Sequence, residues 1–459
     1  MTNAARLKVE EVELYERDVV FRMPFRFGVV TLTAAPQAFA RIRVRTEDGR
    51  EGWGMAAEML APKWFDKNLE LSNEDNFDQL RRALRTAAGL YRDAGMATPF
   101  GLYRGCYDEQ IRLRARDGDG PLVACFGPAL LDRAILDALC RLDGVSVFDA
   151  VRGNRPGLES DDIDMDVFLA GLRPATHVHA RHTVGMVDPI RDNPSPVGDG
   201  LPETLAEVIA RYGHRYFKIK VGGDLAADLE RLRQIADVLD GIDGDYWLSL
   251  DGNEQYQDVG GVMALLDGIG ADPALRRFEQ AILFLEQPIG RAVALDRDVS
   301  ALSARKPVII DESDATLESF PTARELGYDG VSSKSCKGLY KSLINAGRCQ
   351  AWGERYFMSG EDLTTQAGLS VQQDLALASL IGITHVERNG HHYVDGMACA
   401  PEAEQAAFLA AHGDIYHRAN GVVRLTIRDG RIAIGSLACP GFAAQAEPDF
   451  ASMREMPNG

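Results

Sequence analysis

Three carboxylates stand at the ends of three short apolar runs: Asp251 in WLSLDGNEQ, Glu286 in ILFLEQP and Asp311 in PVIIDES. Each run reads as a buried strand, so one scaffold aims three hard oxygen donors at one place. With no cysteine or histidine beside them, such a set suits a magnesium-type divalent cation. Lysines flank the acids. YFKIKVGG carries Lys218 and Lys220, two apart and so on one face of a strand. Downstream, GVSSKSCKG carries Lys334.

The elements that hold these residues follow from their spacing. From Lys220 through Asp251, Glu286 and Asp311 to Lys334 the intervals are 31, 35, 25 and 23 residues, each about one strand, one helix and two loops. LAADLERLRQIADVL and VGGVMALLDGI, which fall between the strands, have apolar residues at helical spacing. Strands alternating with helices, with polar residues gathered just past the strand ends, predict a parallel (β/α) barrel with its site at the C-terminal rim. A lone carboxylate after a strand is ordinarily a helix cap. Five charged residues in register are not, because barrel geometry would crowd them without a cation and an anionic substrate to join them.

The KIK strand, LDGN, LEQP, IIDES and the lysine of the sixth strand resemble the enolase superfamily, in its muconate lactonizing enzyme-like subgroup. RIRVRTEDGREGWGMAAEMLAPKW is similar to that family's N-terminal capping region and GRIAIGSLACPGFA to its returning C-terminal segment. The resemblance implies an enolase-type TIM-like barrel with an α+β capping domain. It also implies one magnesium ion per active site on Asp251, Glu286 and Asp311, acid/base lysines Lys220 and Lys334 on opposite faces of the substrate, and an assisting Lys218. The expected boundaries are 1–125 for the cap, 126–420 for the barrel and 421–459 for the segment that returns to the cap.

The residue types explain one another chemically. A proton α to a carboxylate is very weakly acidic, and its removal leaves a dianionic enediolate that a divalent cation can stabilise. The base must be neutral, so a lysine has to be depressed from about 10.4 by burial, by the metal or by a second cation, and Lys218 is placed to be that cation for Lys220. Two lysines flanking one carbon suit racemisation or epimerisation; cycloisomerisation, or syn-elimination as in an acid-sugar or hydroxy-acid dehydratase, needs one of them as acid/base. A metal-dependent hydrolase or an aldolase-type barrel is the rival of another class, and it would show histidine ligands or a single Schiff-base lysine in an apolar strand.

Asn253 shares the face of Asp251 and is expected at the metal shell or the substrate. Glu312 is expected to face away unless it changes places with the adjacent Asp311, and Lys337 to point elsewhere or bind at the rim. Glu387, in HVERNGHH, is the only carboxylate of the eighth strand, where dipeptide epimerases of the family carry Asp-x-Asp. Substrate choice is expected from cap loops, Phe21 to Thr31 with Arg22 and Arg26, and Gly54 to Phe65. No histidine lies between Lys220 and the seventh strand YFMSGED, which excludes the His-Asp pair of the mandelate racemase-like subgroup. His391 and His392 are expected nearer the pocket than His179, His182 or His385, with too few visible ligands for a second metal.

A net charge of −18 over 459 residues excludes nucleic acid and anionic membrane as partners, either of which needs a basic face. The expected partner is a small-molecule carboxylate, and a homo-oligomer is expected. No apolar run approaches the roughly 20 residues of a membrane span, and MTNAARLKVEEVELYER lacks a signal-peptide core, so a soluble, cytoplasmic protein is expected. Seven scattered cysteines without CxxC spacing predict neither a disulfide nor a zinc site. Residues 7–58 predict a three-stranded antiparallel sheet turning at Asp48 and Gly49, and 74–96 and 127–150 predict helices. Residues 421–437 predict a hairpin returning to the cap, while Gly101–Gly120 and Asp188–Pro202 read as insertions.

Overall fold

The computed structural model describes residues 4–27 and 30–458. Gly28 and Val29, in the cap segment expected to set specificity, lie outside the described residues. Strands β1 (Leu7–Phe27), β2 (Val30–Thr46) and β3 (Glu51–Met59) form the antiparallel cap sheet. The described parts of the Phe21–Thr31 segment, Phe21–Phe27 and Val30–Thr31, are not loop but the distal part of the β1–β2 ribbon, where Arg26 pairs with Thr31. Helices α1 (Asn73–Asp93), α2 (Pro99–Arg116) and α3 (Pro121–Asp143) pack on this sheet and on one another.

Helix α3 is buried along nearly its whole length, from Leu122 to Cys140. A helix apolar on every side needs cover on every side. It fits because β3 offers Gly54, whose missing side chain lets the strand approach; a Cβ there would stand 2.1 Å from the Ala134 carbonyl oxygen. Since α3 runs unbroken and belongs to the cap, the expected boundary at 125/126 falls inside a helix. The cap docks on the barrel through buried polar groups. Arg133 bonds Glu58 at 3.0 Å, and Glu58 in turn accepts from Ser335 Oγ at 2.9 Å.

The barrel consists of β4 (His177–Val184), β5 (Tyr216–Lys220), β6 (Trp247–Asp251), β7 (Ile282–Glu286), β8 (Val308–Ile310), β9 (Gly330–Ser333), β10 (Phe357–Gly360) and β11 (His385–Glu387). All eight run parallel in chain order, and β11 pairs with β4 to close the ring. Inward side chains stack in layers, as the fold requires. At the floor Tyr216 stacks on Trp247 and on His385, with ring centroids 4.9 and 4.6 Å apart. Above them lie Arg181 and Phe284, then Lys218, then the strand ends.

The C-terminal segment divides its allegiance. Strands β12 (Tyr416–Ala419) and β13 (Val422–Leu425) pair with each other around Asn420 and Gly421, both at positive φ. Strand β14 (Arg431–Ala433) then adds antiparallel to barrel strand β4. Only β15 (Arg454–Glu455) joins the cap sheet, opposite Tyr15 and Glu16. The hairpin expected to return to the cap over 421–437 is therefore barrel-bound, and the return is made later. Among the described residues no helix is long and apolar enough to cross a membrane.

Candidate active site

Strand register sets the site. Lys220 pairs with Asp251 and Asp251 with Glu286 across β5, β6 and β7, so the three side chains leave the barrel at one level on one face. Asp311 and Lys334 follow directly on β8 and β9. The chain turns sharply behind these ends, with Asn253 at φ 39° and Gln287 at φ 33°. Non-glycine residues adopt that region only when their surroundings over-determine it. At Gln287 the surroundings are visible. Its amide oxygen accepts from the backbone N–H of Asp311 at 2.8 Å and of Ser313 at 3.0 Å, and its Nε2 donates to Ser313 Oγ and the Ile289 carbonyl. The glutamine of LEQP thus holds the loop that carries Asp311.

Lys218 is the hub of the layer below. Its Nζ lies 2.8 Å from Asp251 Oδ2, 2.9 Å from Glu286 Oε1, 2.8 Å from Glu361 Oε2 and 3.1 Å from Glu387 Oε2. Lys220 Nζ donates to Asp251 Oδ2 at 2.6 Å and also to Asn253 Oδ1. Lys334 Nζ donates to Asp311 Oδ2 at 2.6 Å. Lys337, expected to point elsewhere or bind at the rim, follows Lys334 through a 3₁₀ turn and reaches Asp311 Oδ1 at 3.3 Å and Asp314 Oδ2 at 3.1 Å. Glu312 does not turn away either: it is buried and accepts from Asn253 Nδ2 at 3.1 Å.

Burial opposes every charge here, and ion pairing decides the outcome. At Asp251 the pull of Lys218 and Lys220 outweighs burial and holds the carboxyl below its usual range. Lys334, Lys337 and Lys218 do the same for Asp311. Glu286 goes the other way: burial and the nearby Asp251 and Glu361 carboxylates push it well above the usual range. Lys334 does not show the depressed pKa that a base needs. Burial would lower it, but the Asp311 carboxylate outweighs burial and raises it.

Do these residues fit a hard divalent cation? Glu286 Oε2 is buried and has no hydrogen-bond partner, and one ammonium already touches both Asp251 and Glu286. All three carboxylates are fully buried. An all-oxygen set with an orphaned carboxylate oxygen suits such an ion. Lysines hold Asp251 Oδ2, Glu286 Oε1 and the Asp311 oxygens, the Asn253 backbone N–H holds Asp251 Oδ1, and the three acids do not bring one oxygen each within 4.8 Å of the other two.

A small cavity of about 30 Å³ sits over this layer, walled by Lys218, Lys220, Asn253, Lys334 and Glu387 from the barrel. Phe25, Leu32, Ala61 and Trp64 roof it from the cap, so the cap segments cover the rim where the strand ends are. Arg22 does not reach it. Its guanidinium is clamped to Asp199, with Nη2 to Oδ1 at 2.9 Å, and donates to the His392 carbonyl at 2.7 Å, which pins the cap ribbon to the 188–202 segment. Arg26 is exposed and is not part of the cavity wall. His391 and His392 are also outside it. Two residues were not singled out from sequence: Glu361, and Arg181, which donates to Ser359 Oγ and the Gly360 carbonyl, both at 2.9 Å, and to Glu361. The alternation in HARHTV, with Arg181 and Thr183 on one face, was the available signal.

Residues 201–445 match the family model described as enolase C-terminal domain-like. Among solved structures, an enolase from Bradyrhizobium complexed with magnesium and mandelic acid is 17% identical, with 98% of this chain and 99% of that one covered and a TM-score of 0.62. The 2-chloromuconate cycloisomerase of Rhodococcus opacus is 17% identical over 98% of this chain and 100% of that one, also at 0.62. The L-Ala-D/L-Glu epimerase of Bacillus subtilis is 16% identical over 96% and 99%, at 0.59. Comparison with curated proteins gives no match. At these identities the solved structures speak for the fold, and the family model, which spans more than half the chain, speaks for descent. The chain belongs to the enolase superfamily, in its mandelate racemase and muconate lactonizing enzyme group.

Proposed function

We propose that this enzyme abstracts the proton α to a carboxylate and acts as a racemase or epimerase, or as a cycloisomerase, of a small carboxylic acid. One observation carries the reading. Lys220 ends the second strand of the ring and Lys334 follows the sixth, so they face one cavity from opposite sides of an eight-stranded barrel. A substrate carbon between them meets an ammonium or amine on each face.

Asp251, Glu286 and Asp311 would hold a magnesium ion, which when bound supplies Lewis-acid stabilisation of the charge developing on the substrate carboxylate. The remaining chemistry belongs to side chains. Lys220 takes or returns the α-proton on one face; Lys334 returns one on the other and would take one there only with Asp311 drawn to the cation, each lysine lying close to a carboxylate that orients it. Lys218 keeps Glu361 and Glu387 paired beneath the reacting layer. Phe25 and Trp64 exclude water, which strengthens each electrostatic contact. An aldolase-type reading needs an amine in apolar surroundings, and every lysine here is bonded to a carboxylate. Screening carboxylic acids for α-proton exchange in heavy water tests the proposal: exchange supports it, and its absence across acids that bind would refute it.

A further inference from the structure

On β4, Arg181 and Thr183 face the barrel axis, so His182 between them points outward. There it meets His214, just before β5, and His391, just after β11. The three rings form a nearly equilateral triangle, with centroids 5.3, 5.7 and 5.5 Å apart. One nitrogen from each lies within 4.8 Å of the other two, the only such set of potential ligands among the described residues.

The nitrogens lack side-chain partners. His182 Nδ1 and His214 Nε2 are buried without a hydrogen bond, and both nitrogens of His391 are buried with no side-chain partner, only the Arg388 backbone lying near one of them. Leaving so many polar atoms unsatisfied in one place is costly and needs an explanation. His214 supplies a clue. Its Nδ1 is 2.9 Å from the Ala180 carbonyl, a bond in which Nδ1 must donate, which leaves Nε2 as a free lone pair directed into the cluster. A backbone carbonyl fixing the tautomer in this way is the usual support of a metal-bound histidine. Burial keeps all three rings neutral, helped at His182 and His391 by the neighbouring histidines, and pushes His214 down to about 4.

The geometry points to a transition-metal site, separate from the carboxylate layer, in which His182, His214 and His391 bind one zinc-type divalent ion. Three imidazoles leave a fourth position open. His391 also lines a cavity of about 330 Å³. Sequence spacing hid the set because its members come from three elements brought together only where the barrel closes. The ion would tie both sides of the β11–β4 seam to the short helix Gly390–Tyr393. That helix carries the cap: the His392 carbonyl accepts from Arg22, and Tyr393 packs on Phe25 with ring centroids 4.3 Å apart.

The test uses full-length, metal-stripped protein titrated with Co²⁺ in saturating Mg²⁺, followed by visible absorption and displaced with Zn²⁺. One equivalent with tetrahedral-type bands is expected. His391→Gln and His214→Gln should weaken it by more than the roughly 10–100-fold that loss of a supporting residue costs, while Asp251→Asn and Asp311→Asn leave the bands in place. No stoichiometric band, a band indifferent to the histidine variants, or a band lost in the aspartate variants would overturn the site. Near-UV circular dichroism checks that the variants fold. X-ray absorption on the zinc-loaded wild type needs no variant: a shell with three imidazole nitrogens supports the site, and an oxygen-only shell refutes it.

Discussion

Lys334 Nζ lies 4.1 Å from the centre of the Trp64 ring, so a side chain of the cap rests directly on a barrel lysine. Ring and ammonium attract by about 0.5–2 kcal/mol, more when water is excluded. The indole N–H of Trp64 is buried without a partner, so losing it should cost little. Trp64→Phe is therefore expected to unfold in urea close to wild type, within about 1 kcal/mol. Its kcat should fall for the direction that uses Lys334, since Phe presents a weaker ring face.

Gln287 makes a second prediction. Gln287→Leu removes the acceptor for two buried N–H groups, of Asp311 and Ser313. Stability should drop by roughly 2–6 kcal/mol, at about 1–3 for each of the two stranded donors. Proton exchange should fall with it, because Asp311 loses its support. A urea midpoint equal to wild type would show that the loop holds itself.

Metal removal separates the acids from the lysines. Chelation should abolish α-proton exchange and added Mg²⁺ should restore it, while Glu286→Gln should weaken Mg²⁺ binding measured by calorimetry. Binding unchanged in that variant would remove Glu286 from the ligand set.

His385, under Arg181 at the barrel floor, gives a pH dependence. Its Nδ1 accepts from Arg181 Nη1 at 3.0 Å, which requires a neutral ring. Burial and then Arg181 push its pKa down to about 3. The unfolded chain takes up that proton near pH 6.5 while the folded one does not, so this group's stability contribution is present above about 6.5 and is lost as pH falls towards 3. His385→Gln should flatten part of the fall of Tm with acid. An unchanged slope would show that the ring is protonated in the fold.

Much of the site was legible because its residues end apolar runs at barrel spacing. The run fixes the strand, and the next polar residue falls at the rim. Glu361 escaped that logic, since Gly360 and Asp362 flank it and no apolar run shows which of the two acids faces the axis. Gly101–Gly120 read as an insertion yet lies largely in α2, capped by Thr98 with Pro99 at its start. Its apolar stripe is broken by polar residues that are nonetheless buried, with Gln110 bonded to the Ala83 and Ala124 carbonyls and Arg114 paired with Asp119. Arg22 looked like a substrate anchor because its partner, Asp199, lies 177 residues away. Long-range pairing of this kind leaves no mark on local pattern.

The central claim is that Lys220 and Lys334 act on opposite faces of one carbon, and stereochemically resolved α-proton exchange in heavy water tests it most directly. With a substrate found by screening, Lys220→Ala should abolish exchange from one configuration and Lys334→Ala from the other, while Asp251→Asn abolishes both. In a cycloisomerase one lysine variant loses proton transfer and the other is only slowed. If both alanine variants exchange either configuration at close to the wild-type rate, the account is wrong.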